Sequence, residues 1–192
     1  MRVAAAAAGG ALCLSAAAIA QQDGIQQMVE EGRKVTGQLL SQVRSELTKE
    51  MEISGPSRSI LVCKYSSPEI ASELSRKTGW RITRVSLKPR NPAMGSPDAW
   101  EQDVLLDFDR RAARGEKAET LERAEIVTES QGRYFRYMKA LPVQQGCLAC
   151  HGPASGVPEA VKARLAAEYP NDKAIGYSVG EVRGAVTIKR PL

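Results

Sequence analysis

Cys147-Leu148-Ala149-Cys150-His151 is the stretch around which the rest of the chain is organised. Two thiols at this spacing can each add to one vinyl group of a haem, and a histidine that follows at once can bind the iron. The motif therefore predicts one covalent c-type haem (heme c), with Cys147 and Cys150 as the attachment residues and His151 as the proximal iron ligand.

Two other interpretations compete with haem attachment. A structural zinc site needs four donors, and only Cys63 could join the three that the motif offers. A thioredoxin-like dithiol is expected in a βαβ context, which the sequence around Cys147 does not provide. Haem attachment is the interpretation that the spacing favours.

The other side of the iron needs a different kind of ligand, because His151 is the only histidine of the chain. The sequence leaves several candidates open: a lysine, Cys63, Met28, Met51, Met94 or Met138. Met28, Met51 and Met138 fall in helix or strand patterns, where methionine more commonly fills a core. Met94 belongs to an irregular loop and is the rival of Cys63.

The first 20 residues have the pattern of a secretory signal peptide: a basic start, a short alanine-rich apolar stretch and small residues at Ala18 and Ala20. The stretch is too short for a membrane span. Leu12 before Cys13 argues against a lipoprotein anchor. We therefore expect a periplasmic protein with no stable membrane span in the mature chain.

The 192-residue length suggests one domain, and the net charge of +5 is spread along the chain. Nucleic-acid binding is not expected, since no dense basic patch with interleaved aromatic residues occurs. Removal of the signal peptide leaves three cysteines. Cys63 is then a leftover thiol in an oxidising compartment, which calls for an explanation.

Residues 21–53 are predicted to form an N-terminal amphipathic helix. Apolar residues recur every three or four positions from Ile25 to Met51, which is the helical period. The helix could pack on the domain that follows it, or it could mediate signalling or a homodimer.

Residues 54–192 mix helical and strand patterns, which predicts an α+β fold with a small antiparallel sheet. The expected order is a loop at 54–57, a short element holding Cys63, a helix over 68–78 with Ser67 as N-cap and Gly79 as its stop, a strand over 80–87, a loop over 88–97, a helix over 98–113, a hairpin of 120–129 with 133–141, a helix over 158–169 and a strand over 183–188.

Several separate motifs, which agree in order along the chain, resemble the PAS-like c-type haem domain family. They are Cys63-Lys64-Tyr65-Ser66-Ser67-Pro68-Glu69-Ile70-Ala71, Gly79-Trp80, Arg84-Val85-Ser86-Leu87-Lys88, Arg90-Asn91-Pro92, Pro97-Asp98-Ala99-Trp100-Glu101, the attachment motif, Tyr169-Pro170-Asn171-Asp172, Gly176-Tyr177 and Arg183-Gly184-Ala185. The resemblance covers residues 60–188. The family contains secreted cytochromes and sensor modules of bacterial signalling proteins.

The resemblance implies a PAS-like antiparallel sheet with flanking helices, and an iron held by His151 and by Cys63 as the distal ligand. Elimination also favours Cys63, because iron would stabilise its thiolate and protect the thiol from oxidation. The chain departs from the family where Ala93-Met94-Gly95 stands in place of an asparagine. This departure brings Met94, the rival ligand, near the haem edge.

A thiolate donor stabilises ferric iron, so a lower potential than that of a His/Met haem is expected. A haem of this kind permits two functions. In redox or gas sensing, reduction would weaken the iron–thiolate bond, free Cys63 and let carbon monoxide or nitric oxide bind. In the alternative, the protein is a low-potential periplasmic electron carrier. The PAS-like resemblance favours sensing, in which an unidentified periplasmic signalling or redox protein would be the partner.

Enzymatic turnover is not expected, because no histidine-based acid/base pair remains once His151 binds iron. The basic residues nearest the motifs are Arg84, Lys88, Arg90 and Arg133. Of these, Arg84, Lys88 and Arg90 are the candidates for contacts with the haem propionates.

Overall fold

The structure of the protein, a computed structural model, describes the backbone of residues 10–192 and the side chains of residues 22–192. The predicted signal peptide and Cys13 lie outside the range of described side chains. Within the described part of the chain, no helix combines the length and the apolar character needed to cross a membrane.

Helices are interspersed with four strands, which form one antiparallel sheet in the order β1-β4-β3-β2. The α+β class with a long N-terminal helix is thereby confirmed. The elements are α1 (Gly10–Leu61), a π-helical turn (Val62–Ser66), α2 (Ser67–Thr78), β1 (Arg81–Val85), α3 (Pro92–Gly95), α4 (Ala99–Ala113), a 3-10 turn (Ala118–Thr120), β2 (Glu122–Glu129), β3 (Gly132–Pro142), a 3-10 turn (Gln145–Cys147), α5 (Leu148–His151), α6 (Glu159–Glu168) and β4 (Val182–Pro191).

Helices α1 and α2 cover one face of the sheet. The apolar stripe of α1 supplies Val29, Val35, Leu39 and Val43, all buried in the same cluster as Tyr137 of β3. Gly32 lets the helix approach closely, since a Cβ there would lie 3.2 Å from the Tyr137 ring. The predicted amphipathic helix is correct, and its apolar side packs against the chain's own sheet; a homodimer stays a prediction.

Helix α4 covers the opposite face with Val104, Leu105 and Phe108. Its start is fixed by a capping box: the Asp98 carboxylate accepts the backbone N–H of Glu101, and the Glu101 carboxylate accepts that of Asp98. Such reciprocal bonds satisfy two amides that a helix start leaves free. The predicted helix over 98–113 is thus confirmed.

The segment before β1 differs from its prediction. The expected loop at 54–57 is a kink inside α1, at Gly55 with φ 74°, and Ser67 is no N-cap because its backbone is helical. Pro68 has no amide hydrogen to donate. A wider, π-helical turn accommodates this missing donor, and in it the Ser67 N–H donates to the Val62 carbonyl. Cys63 therefore sits inside a continuous helical segment.

The predicted loop over 88–97 contains the short helix α3. Asn91 caps this helix by accepting the Ala93 N–H at 3.2 Å, and Pro92 occupies its first turn. Proline at that position costs no hydrogen bond. Gly79 ends α2 with φ 72°, as the sequence predicts.

Candidate functional site

A cavity of about 810 Å³ lies between α2, β1 and the segment 89–95. This volume is in the usual range of small-molecule and cofactor sites. Its lining brings together Cys63 from the π-helical turn, His151 from α5 and the arginines Arg84, Arg90 and Arg183. Residues that are far apart in the sequence therefore meet at one site.

One wall of the cavity consists of small side chains on the helical segment. Cys63, Ser67, Ala71 and Ser75 line it, and their spacing of four residues places them on one face of the helix. Short side chains keep the space between this face and β1 open. Cys63 is half-buried and its thiol is free.

His151 is fixed by the segment that follows α6. The N–H of Tyr177 donates to the His151 carbonyl at 2.9 Å, and the N–H of Gly176 donates to the Gly152 carbonyl at 2.9 Å. The ring nitrogen Nδ1 lies 2.8 Å from the carbonyl oxygen of Ala174. A hydrogen on Nδ1 that points to this carbonyl leaves the lone pair of Nε2 available for a metal.

The Ala174 carbonyl is itself held by a buried ion pair. Arg90 donates to this carbonyl at 3.2 Å, to the Cys150 carbonyl, and to Asp172 Oδ2 at 3.0 Å. The other oxygen of Asp172 accepts the Ala174 N–H at 2.7 Å. One arginine and one aspartate therefore connect the attachment motif to the carbonyl that orients His151.

Burial and, to a smaller extent, the charges of Arg183 and Arg90 together lower the pKa of His151 to about 2, although the hydrogen bond with the Ala174 carbonyl opposes them. The imidazole is consequently neutral, which is the form that binds metals. Arg183 Nε lies 3.2 Å from His151 Nδ1. Because Nδ1 carries the hydrogen given to Ala174, this arginine is a repulsive neighbour of the ring rather than its hydrogen-bond donor.

Arg84 and Arg183 differ from Arg90 in having no acidic partner. No carboxylate lies within 4 Å of either guanidinium among residues 22–192, whereas Arg90 pairs with Asp172. Burial lowers the pKa of both Arg84 and Arg183. The cavity thus holds two cations that the chain leaves uncompensated.

Cys147 and Cys150 lie beside the cavity, outside its lining, and both thiols are free and half-buried. Burial raises the pKa of Cys150, Arg90 opposes this, and the nearby Cys63 and Cys147 add to it. Gly152 has to follow His151, since a Cβ there would lie 2.7 Å from the Leu148 carbonyl oxygen. No group of three metal-binding side chains occurs in the described residues, so the zinc interpretation gains no support.

The other predicted residues lie at or outside the rim. Met94 lines the cavity from α3 and is 58% exposed. Lys88 is exposed, and its Nζ stands 4.5 Å above the Tyr177 ring rather than in the lining. Arg133 is also exposed and outside the lining.

Sequence reasoning missed Arg183 and Asp172 as site residues. Both stand in motifs that carry the family resemblance, but neither motif by itself indicates a role. The glycine next to Arg183 is the signal that the sequence offers. Gly184 has φ 154°, and a Cβ there would lie 2.4 Å from the Val85 carbonyl oxygen. Such a close backbone approach brings β4 against the end of β1, beside Arg84.

The chain resembles known proteins in sequence and in structure. The crystal structure of the cyanobacterial heme-protein Tll0287 matches with a TM-score of 0.60 and 26% sequence identity, over 88% of this chain and 95% of that one. No curated protein sequence matches significantly. The family model described as Tll0287-like matches residues 17–191, nearly the whole chain, and the protein therefore belongs to the Tll0287-like family.

Proposed function

We propose that the protein is a periplasmic c-type cytochrome with one covalent haem, His/Cys axial ligation and a role in redox or gas sensing. One observation carries this proposal: Cys63 and His151 line the same cavity, beside Cys147 and Cys150. The family and the heme-protein relative support haem binding by this chain.

The residues of the cavity fit a haem. Trp80, Ile82 and Leu141 give it an apolar lining, and a neutral imidazole with a fixed Nδ1–H is suited to iron. Cys147 and Cys150 would hold the porphyrin covalently, while His151 and Cys63 would bind the metal. When bound, such a group supplies an iron that exchanges one electron and can take a small diatomic ligand.

The chain's own residues prepare this site in two ways. Arg90 and Asp172 fix the Ala174 carbonyl and with it the orientation of His151. A preset ring orientation spares the cost of ordering it when the metal binds. The short side chains of Ser67, Ala71 and Ser75 leave room beside Cys63 for the group that its thiolate would bind.

Sensing is favoured over electron carriage by the position of Cys63. This residue lies on a π-helical turn between the α1 segment that begins at Pro56 and helix α2. Turns of this kind often mark functional sites in helices. A movement of Cys63 would be passed along the helical segment to the Gly55 kink and to α1, which can present the change to a signalling partner.

Spectroscopy of purified ferric protein, made with a haem-attachment system, tests the ligands. We expect a low-spin thiolate signature by electron paramagnetic resonance, its loss in Cys63→Ser and its retention in Met94→Ala. A colourless wild-type protein would refute haem binding, and a Cys63→Ser spectrum identical to that of the wild type would refute the axial thiolate. Loss of the signature in Met94→Ala alone would assign the site to methionine.

Carbon monoxide and nitric oxide titrations of the reduced protein separate the two functions. Ready binding supports a gas sensor. Absent binding, together with fast electron exchange with small redox mediators, would instead favour the alternative of a low-potential carrier that serves an unidentified redox partner. Fractionation of cells that express the full chain tests the location, which we expect to be the periplasm.

A further inference from the structure

Arg183 is fixed in place although no carboxylate of the described part of the chain pairs with it. Its Nη1 donates to Ser86 Oγ at 2.9 Å and to the Lys88 carbonyl at 3.3 Å, and its guanidinium carbon lies 5.4 Å from the centre of the Tyr177 ring. Its Nη2 has no hydrogen-bond partner among the described residues. The side chain is thus held with donors to spare at the cavity wall.

Arg84 lines the same cavity from β1, and its guanidinium has neither a hydrogen bond nor an ion pair with the described residues. The other cations of the lining are accounted for. Lys64 pairs with Glu168 and Arg76 pairs with Glu69, while Arg81 is exposed to solvent. Tyr169 brings no negative charge near Arg84, since burial raises the pKa of its hydroxyl to about 12.

The charges at the cavity indicate what kind of ligand would bind there. Arg84, Arg90 and Arg183 meet at the cavity, and Asp172 neutralises only Arg90. A poorly hydrated cation without a counter-ion is costly, so a ligand that carries two anionic groups would be bound strongly here. Carboxylates match guanidinium groups in geometry as well as in charge.

We propose that Arg84 and Arg183 form a dicarboxylate-binding subsite that takes the two propionates of the haem. This inference rests on the proposed function and extends it to a residue, Arg183, that sequence reasoning missed. A ferric porphyrin with one thiolate ligand has no net charge in its core, so its propionates are the charges left for the two arginines. Lys88 contributes its backbone carbonyl, which holds Arg183, rather than its ammonium group.

The first test uses the holoprotein with carbon-13 in the propionate carboxyl carbons, introduced by feeding labelled 5-aminolaevulinate. Infrared difference spectra are recorded for the wild type, Arg84→Leu, Arg183→Leu and the exposed control Arg133→Leu. We expect the labelled carboxylate bands to shift in the two cavity variants and to stay unchanged in the control. Unchanged bands in both cavity variants would overturn the subsite.

The second test does not depend on haem maturation. The full chain with Cys147→Ala and Cys150→Ala is titrated with haemin and with its dimethyl ester, and binding is followed by quenching of Trp80, which lines the cavity. We expect haemin to bind more tightly by about tenfold for each arginine, because a charged hydrogen bond contributes on the order of 1.5 to 3 kcal/mol. The preference should fall stepwise in Arg84→Leu, Arg183→Leu and the double variant.

The outcomes separate this inference from the proposed function. Equal affinity for haemin and its ester in the chain with both arginines would refute the subsite while leaving haem binding intact. A wild-type chain that holds no haem after expression with the attachment system would refute the proposed function and the subsite with it. A linear dicarboxylate such as succinate that displaces haemin at comparable concentration would assign the arginines to a free diacid instead of the propionates.

Discussion

Arg136 and Arg84, which lie on opposite faces of the sheet, differ in how their charges are balanced. Arg136 of β3, 2% exposed, lies under α4 with Asp98, Glu101 and Glu129 at 2.7, 3.1 and 3.3 Å. On the other face, the cavity arginine Arg84 has no carboxylate within 4 Å among the described residues. Within the described residues, the arginine buried under α4 is surrounded by carboxylates, whereas Arg84 has none beside it. This contrast is what the proposed propionate subsite predicts for a structural arginine and a ligand-binding one.

The largest effect is expected at Arg136. Arg136→Leu leaves Glu101, 1% exposed, as a buried carboxylate without its counter-ion, and breaking a buried pair in this way costs about 3 to 5 kcal/mol. The free energy of unfolding, measured in urea, should fall by that amount. Arg123→Leu, which removes an exposed pair with Glu125, is the control and should change it by about 1 kcal/mol at most. Equal effects of the two variants would contradict the contrast.

The next effect is expected at Asp172, which neutralises Arg90 within the cavity region. Asp172→Asn can still accept the Ala174 N–H but loses the charge, so we expect a loss of about 2 kcal/mol, a typical value for a charged hydrogen bond. Asp172→Ala should cost more, since it removes both contacts. Denaturation of the haem-free chain measures this, and nitrogen-15 NMR should show faster exchange of the His151 Nδ1 hydrogen. Two variants as stable as the wild type would remove Asp172 from the network.

A change of opposite sign is expected at Arg84. In the haem-free chain, Arg84→Met removes a half-buried cation that has no partner among residues 22–192, and replacement of such a charge by an apolar side chain is neutral or stabilising. We expect a gain of about 1 kcal/mol in the free energy of unfolding, since partial exposure reduces the cost of the charge. A loss of more than about 1 kcal/mol would show that Arg84 has a structural partner, as Arg136 does, and would break the contrast.

The smallest effect concerns Glu122, which joins Arg33 of α1 to Tyr137 of the sheet. The hydrogen bond from Arg33 holds the pKa of Glu122 below its usual value; burial opposes this and the Tyr137 hydroxyl adds to it. A carboxylate whose pKa is lowered in the folded state stabilises the fold at pH values above its unfolded-state pKa of about 4.3. This stabilisation is lost as the pH falls through the pKa of the folded state.

Comparison of Glu122→Gln with the wild type tests this. The wild type should be more stable by about 1 kcal/mol or less near neutral pH, because the pair is partly exposed. The difference should shrink as the pH falls below about 4.3 and vanish only below the lower pKa of the folded state. A difference that does not depend on pH would show that the contact works through shape rather than charge.

Much of the fold was predictable because its signals are local. The spacing of apolar residues in α1, the alternation in β2 and β3 and the glycine that ends α2 act over a few residues each. The attachment motif is likewise contiguous. The π-helical turn was not predictable, since it results from Pro68 meeting a helix that tertiary contacts of Ile60 and Leu74 hold in place.

The predicted site was incomplete for the same reason. Cys63 and His151 were identified through their chemistry, whereas Arg183 reaches the cavity only because β4 passes beside Ser86 and Lys88. Asp172 matters through the carbonyl of Ala174, and a backbone acceptor leaves no mark in the sequence. Residues that act through distant backbone groups are the ones that local patterns cannot reveal.

The wide turn at Val62–Ser66 also fixes the direction of side chains after the turn relative to those before it. Ile60 before it faces α6, and Leu74 after it faces the sheet. Each residue of an α-helix advances the direction of its side chain by about 100°. Deleting one residue of the turn would therefore regularise the helix but rotate one of these contacts away from its neighbour. Cys63 lies in this turn, which accommodates the difference in direction between the two contacts. Insertions or deletions of one residue should therefore be tolerated least within Val62–Ser66.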